Sequence, residues 1–278
     1  MSVKIIVDST VDLTPELRAK MSAIVPLSVR FGDEEYKDGV TITAQKFYEM
    51  LIASEELPTT SQPTPAAFEE AYAAATADGS EVVVITIASK LSGTYQSATI
   101  AAEDYEGKVF VCDSRSAAIG SGVLAAYALQ LVEQGLSGQQ ILDELIAVRK
   151  NVCLYAIVDT LDYLKKGGRL NAAVAVVGGL LNIKPLICVD EAGEIKVPGM
   201  ARGIKKAFAT LTELSGKDGI DYEKPVLLGY TGTTDENLVK YMAENTATWP
   251  EGTQSTIVGA AIGVHAGPGA VATAFFKK

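Results

Sequence analysis

The chain has 278 residues, 48% of them hydrophobic and 21% charged, which is too apolar for a disordered chain and long enough for one large or two ordinary domains. Its 24 Lys and Arg face 34 Asp and Glu, a net charge of −10 that would repel a phosphate backbone and argues against nucleic-acid binding. A single histidine excludes a multi-histidine metal site. Cys112, Cys153 and Cys188 share no metal-ligand spacing, sit in apolar runs, and read as reduced core cysteines of a cytoplasmic protein without a metal or cofactor.

Met1-Ser-Val-Lys leads straight into a strand-like run, Val3–Val7, without the basic region, apolar stretch and cleavage site of a targeting segment. That run ends at Asp8-Ser9-Thr10. Thr14-Pro15-Glu16 then reads as a helix start, with a hydroxyl at the N-cap and proline just inside. Val25–Phe31 is β-like, Gly32-Asp33 suggests a turn into Glu35–Val40, and Thr43–Ser54 reads as an amphipathic helix. In Thr59-Thr60-Ser61-Gln62-Pro63-Thr64-Pro65 the prolines exclude a regular helix or a central strand. Ala66–Ala77 is helical, Glu81–Ile87 a buried strand, Thr94–Ala102 a helix and Lys108–Cys112 a strand, followed by helices over Ser121–Gln134 and Gly138–Lys150. Short apolar strands alternating with helices predict an α/β domain with a largely parallel sheet.

The second half changes style. Val152–Val158 and Leu186–Val189 are predicted strands, and Glu191-Ala-Gly-Glu between two β-runs suggests a hairpin. Arg202–Ser215 reads as a helix, Pro225–Tyr230 as a strand, Asp235–Asn245 as a helix and Ser255–Val258 as a last strand. From Thr253 to Phe276 no residue is fully charged, a bilayer-spanning length. Gln254, Ser255, His265 and the breaker Gly267-Pro268-Gly269 favour a buried strand followed by a helix, with no transmembrane segment. The expected organisation is two closely packed α/β units, 1–150 and 151–278.

The usual enzyme constellations are missing: no nucleophile elbow, no Walker-type loop, no paired His-Glu-x-x-His. Gly120-Ser-Gly-Val-Leu-Ala and Gly267-Pro-Gly-Ala-Val-Ala imitate a dinucleotide fingerprint without its strand context and read as tight helix starts. Asp8, Asp113, Asp159 and Asp190 end strands, where aspartate either serves a ligand site or caps the next turn. The loop Ser89–Ser97 offers hydroxyls and backbone N–H groups toward an anion, or ordinary capping. His265 lies in an apolar, glycine-rich stretch where it needs a polar partner. One window of the acidic chain, 165–206, holds eight basic residues against three acidic ones. Lys205 and Lys206 suit a solvated helix face, whereas Arg169 and Arg202 are better suited to gripping an anion.

Taken in order, Asp8-Ser9-Thr10, Thr60-Ser61-Gln62-Pro63, Leu91-Ser92-Gly93-Thr94-Tyr95-Gln96-Ser97, Leu164-Lys-Lys-Gly-Gly-Arg169-Leu, Ile183-Lys184-Pro185 and His265-Ala-Gly-Pro-Gly269 resemble the DegV family, the FakB-type fatty-acid-binding proteins. The resemblance covers essentially the whole chain. It implies a two-domain α/β DegV-like fold and a buried long-chain fatty acid, delivered to a separate fatty-acid kinase that makes the acyl phosphate. It further implies a carboxylate held by Thr60, Ser92 and His265, with Ser61 and Gly93 as a supporting loop and Arg169 and Arg202 facing the kinase or the acyl phosphate. Two positions depart from the family pattern: Leu-Asn-Ile precedes Lys184, and Gly168 precedes Arg169 where many relatives have serine-glycine. A carboxylate removed from water needs several donors, which two hydroxyls and an imidazole can supply. Small residues such as Ala260, Ala261, Gly263 and Ala266 could leave space for the acyl chain. Transient membrane contact fits such a cargo. Two alternatives use the same residues: another lipid or small carboxylic acid as ligand, and a serine hydrolase with Ser92 as nucleophile, His265 as base and Asp8 or Asp113 orienting it.

Overall fold

The computed structural model describes residues 2–170, 182–217 and 219–278. In the first half the chain runs β1 (Val3–Asp8), α1 (Pro15–Arg18), β2 (Ala23–Val25), β3 (Ser28–Phe31), β4 (Glu34–Lys37), α2 (Ala44–Ala53), β5 (Thr59–Ser61), α3 (Pro65–Thr76), β6 (Glu81–Thr86), α4 (Thr94–Ala102), β7 (Val109–Asp113), α5 (Ala118–Glu133) and α6 (Gly138–Val148). The expected parallel sheet is present, in the order β2-β1-β6-β7. Its helices start where hydroxyls take up free N–H groups: Thr14, Thr43, Thr64 and Ser137 each cap the helix that follows.

The expected single run Val25–Phe31 is two strands. Pro26 has no N–H to continue the ladder, and Leu27 turns its own N–H to the Ser9 hydroxyl at 3.0 Å. β2 therefore joins the parallel sheet, while β3 leaves it for a small antiparallel sheet in the order β4-β3-β5. β5, cut short by Pro63, is an edge strand of that sheet.

The second half runs β8 (Val152–Ile157), α7 (Asp162–Lys166), β9 (Ile183–Val189), β10 (Ile195–Arg202), α8 (Ile204–Gly216), β11 (Leu227–Tyr230), α9 (Glu236–Glu244), β12 (Gln254–Ile257), α10 (Ala260–Ala266) and β13 (Val271–Phe276). The predicted hairpin is there, β9 pairing antiparallel with β10. The predicted order of the last elements is corrected: Ser255–Val258 is not the last strand, and 271–276 is a strand rather than part of a helix. Left-handed Gly267 (φ 68°) and Gly269 (φ 87°) end α10 and turn the chain back. Val271-Ala-Thr-Ala-Phe-Phe then enters the middle of a sheet ordered β10-β9-β8-β13-β11-β12, antiparallel except for β11–β12.

Both faces of β13 are covered. Ala272, Ala274 and Phe276 belong to the largest core, with the residues of α5. Val271 and Phe275 point the other way, into the core under α8, where Thr273 meets the Ser215 hydroxyl at 3.0 Å. α5 carries no charge before Glu133 and packs against β1 and β6 on one side and β8, β11 and β13 on the other. Its start lies three residues earlier than Ser121, taking in Gly120, and Gly122 is helical as well. A Cβ on Gly122 would lie 2.2 Å from the Asp12 carbonyl oxygen, so the glycine permits a backbone approach. Among the described residues no helix is long and apolar enough to cross a membrane.

Candidate functional site

Between α5, α10 and the strands β8, β9 and β13 lies a cavity with about 890 Å³ of unfilled space, measured out to its open mouth. Its walls are mostly aliphatic: Leu154 and Ala156 from β8, Ile187 and Val189 from β9, Ala117 and Ala118 from the start of α5, and Ala261, Ile262 and Ala266 from α10. At Ala118 the backbone takes φ 50°, a conformation uncommon for a residue with a Cβ.

Four of the polar side chains on this lining are those the sequence singled out, and two of them touch directly. Thr60 Oγ1 lies 3.1 Å from His265 Nε2. The Arg169 guanidinium donates from Nε to the Leu91 carbonyl at 3.2 Å and from NH1 to the Gly167 carbonyl at 2.7 Å, tying the α7 loop to the residue before Ser92. Ser92 Oγ is 2.8 Å from Thr94 Oγ1 and accepts the Thr94 N–H at 3.3 Å. Thr60, Ser92, His265 and Arg169 therefore share one cavity wall, although they come from β5, the loop after β6, α10 and the loop after α7.

Burial, reinforced by the positive charge of Arg169, lowers the His265 pKa to about 4. The imidazole is thus neutral at physiological pH, with Nε2 on Thr60 and Nδ1 without a hydrogen-bond partner among the described residues. With the proton on Nε2, that N–H donates to Thr60 Oγ1 and the Thr60 O–H is the donor left for an anion. Gly167 lies directly against the ring: a Cβ there would be 2.1 Å from Nδ1.

The other expected residues are placed as follows. Ser61 is exposed, since successive strand residues point to opposite faces and Thr60 takes the inner one. Gly93 begins α4, and a Cβ there would run into the Gln62 amide at 2.1 Å, so it lets the two loops close on each other. Arg202, at the end of β10, is exposed and is not part of the cavity wall. Of the small residues on α10, Ala261 and Ala266 face the cavity, whereas Gly263 makes room for Phe47 and Tyr48 of α2. Cys112 is a core cysteine as expected, but Cys188 is half-buried and lines the cavity, burial pushing its thiol pKa up.

The strand-ending aspartates turn out to be structural. Asp8 accepts the N–H and hydroxyl of Thr10 through Oδ1 and the Ile87 N–H through Oδ2 at 2.8 Å, which fixes Thr10 at the cavity wall. Its burial outweighs these donors and raises its pKa to about 6. Asp113 accepts from Ser89 and the Arg115 N–H. Asp190 accepts from Ala192 and Glu194 in the hairpin turn, and Asp159 pairs with Lys184 at 2.6 Å. Both Asp8 oxygens are engaged elsewhere, Ser92 is turned to Thr94 and no carboxylate reaches His265, so the hydrolase triad is not assembled among the described residues. Among the described residues no cluster of histidine, cysteine and acids could hold a metal ion.

A mixed α/β protein with an apolar pocket between its sheets, closed by hydroxyls, an imidazole and a guanidinium, is the class that fold and site define. The chain belongs to the DegV family, whose model, described as "Uncharacterised protein, DegV family", matches residues 2–278. A DegV domain-containing protein of Deinococcus radiodurans is 40% identical over 99% of this chain and 98% of its own length. Another from Clostridium acetobutylicum is 34% identical over 99% of each. Among solved structures, a fatty-acid-binding DegV family protein from Thermus thermophilus aligns with TM-score 0.88 and 32% identity over 100% of both chains. A stearic acid-binding protein from Eubacterium ventriosum aligns with TM-score 0.84 and 30% identity, over 100% of this chain and 99% of that one.

Proposed function

We propose that this protein binds a long-chain fatty acid in the cavity, with the carboxylate between Thr60, Ser92 and His265, and presents it in the cytoplasm to a fatty-acid kinase for conversion to the acyl phosphate. The observation that carries the reading is the Thr60–His265 pair, 3.1 Å apart, on the wall of an otherwise aliphatic cavity. A desolvated carboxylate needs donors, and here they are neutral and already oriented. Each methylene buried along the apolar wall contributes about 0.8 kcal/mol, so a long chain gains on the order of 10 kcal/mol before the costs of binding. The relatives described as binding fatty acid and stearic acid support the same ligand class. Arg169, half-buried at the cavity, and Arg202, exposed on β10, are the candidates for facing the kinase or the acyl phosphate, since a guanidinium grips phosphate through two parallel hydrogen bonds.

Mass spectrometry of a denaturing extract from protein made in a fatty-acid-producing host should find stoichiometric fatty acid. Its absence would sink the reading. Replacing Thr60, Ser92 or His265 by Ala should weaken binding about ten- to hundredfold, the effect of removing a donor from a buried charged group. A hydrolase would behave differently: Ser92→Ala would abolish ester cleavage and leave affinity nearly intact. Arg202→Ala should keep fatty-acid binding and lose most acyl-phosphate formation with kinase and ATP. Wild-type turnover in that variant would remove Arg202 from the interface.

A further inference from the structure

The start of α10 is held from outside the helix by two buried acids. The Gly259 N–H donates to Asp12 Oδ1 at 2.7 Å, the Ala260 N–H to Asp38 Oδ1 at 2.9 Å and the Ala261 N–H to Asp38 Oδ2 at 3.1 Å. A helix leaves its first N–H groups without internal partners, and Gly259 has no side chain to cap them. Asp38 comes from the segment after β4, 222 residues from Ala260, and is 3% exposed. One bond further back, the Tyr48 hydroxyl donates to the Val258 carbonyl at 3.0 Å.

This clamp lies one turn from the functional side chain. Ala261 and His265 are four residues apart, hence on the same face of α10, and both line the cavity. His265 has Thr60 on Nε2 and no partner on Nδ1 among the described residues, which give the ring no second hydrogen bond of its own to orient it. Its reach is set by where the helix begins. Asp38 engages both oxygens in that task. Asp12 engages one, its Oδ2 being without a partner among the described residues.

We propose that Asp38 is a positioning residue for the carboxylate site: by anchoring Ala260 and Ala261 it fixes the rotation and height of α10 and thereby the contact of His265 with Thr60. The proposal rests on the fatty-acid reading above for its consequence, but its geometry can be tested without ligand.

Because the chain has one histidine, its imidazole signal in NMR is unambiguous. In Asp38→Asn one amide oxygen must serve two N–H groups and an NH₂ faces the other. The start of α10 should loosen, and the His265 titration midpoint should rise from about 4 toward the ordinary 6.5. Asp12→Asn keeps the one acceptor oxygen in use and should move the midpoint far less; equal shifts in the two variants would point to lost charge and overturn the proposal. Stearate affinity of Asp38→Asn should fall roughly tenfold, with much less loss for stearyl alcohol, and the loss should largely vanish in a His265→Ala background. An unchanged imidazole titration, equal losses for acid and alcohol, or losses that add in full to those of His265→Ala would each overturn it. If Asp38→Asn does not fold, Asp38→Glu, which displaces both oxygens by one methylene, takes its place with the same expected direction. A wild-type protein that binds no fatty acid would overturn the functional reading alone, and the ligand-free titration would still decide the role of Asp38.

Discussion

At the scale of single residues, the site depends on a histidine kept neutral by its surroundings. The folded His265 titrates near 4 and an unfolded histidine near 6.5. Between these values the unfolded chain takes up a proton that the folded one refuses, so this contribution to stability is complete above pH 6.5 and is lost as pH falls toward 4. Asp8 works in the opposite sense. Its carboxyl is raised from 3.8 to about 6, so its contribution is complete below 3.8 and is lost as pH rises through 6. Comparing wild type with His265→Gln isolates the histidine: the wild type should lose more stability between pH 6.5 and 4.5, by at most about 3 kcal/mol. Parallel pH profiles in chemical denaturation would contradict this. Gly167→Ala is a second test. The glycine has an ordinary helical φ, so alanine strains no backbone there, but its Cβ would press on Nδ1 from 2.1 Å. We expect a lower melting temperature, overpacking costing about 1–3 kcal/mol of stability, together with roughly tenfold weaker fatty-acid binding; wild-type melting and affinity would contradict the contact. Neither Gly167 nor the tie of Arg169 to Leu91 was legible in the sequence. Thr60 and His265 are 205 residues apart, and only the order of the family-like motifs brought them together on paper.

Elements were legible where their patterns were strong and ambiguous where composition was bland. A hydroxyl cap followed by proline locates the helix start at Thr14; the same pair at Thr64 and Pro65 reads as loop in the sequence, with the helix there from Ala66. Val271–Phe276 is a six-residue uncharged run with two alanines among its β-favouring residues, and in so short a run a buried strand and a buried helix look alike. Only its neighbours, α5 on one face and α8 on the other, decide. α5 shows the same effect, since of the glycines that argue against a helix Gly122 admits another backbone and Gly120 the side chains of Ser116 and Leu154. Gly122→Ala separates the two influences: alanine gains about 1 kcal/mol of helix propensity, yet its Cβ would meet the Asp12 carbonyl oxygen at 2.2 Å. The variant should melt below the wild type; a higher melting temperature would show that the approach relaxes freely.

For the molecule as a whole, α5 joins the two halves. Its side chains share one core with β1 and β6 on one side and β8, β11 and β13 on the other, and α10 packs against α2, β3 and β5. A boundary near residue 150 is our proposal for where the two units meet along the chain. With so much apolar surface shared across it, calorimetry of delipidated protein should show one unfolding transition, and two resolved transitions would contradict that coupling. Ligand should move this transition upward, since a fatty acid at 100 times its Kd adds about 2.7 kcal/mol to folding.

The central position of β13 also bears on how the protein is made. A ribosome releases the N-terminal strands first, and the parallel sheet can form while synthesis continues. The six-stranded sheet cannot follow in the same way, because β8 and β11 meet only through β13, more than 110 residues after β8 begins and 40 after β11 begins. Until residues 271–276 emerge, the outer face of α5 and the inner edges of β8 and β11 have nothing to pair with, and the cavity has no rear wall. The growing chain therefore carries an unfinished apolar surface through the second half of its synthesis, from the end of α5 to the start of β13, a period in which a holding chaperone has more to cover than at any later time.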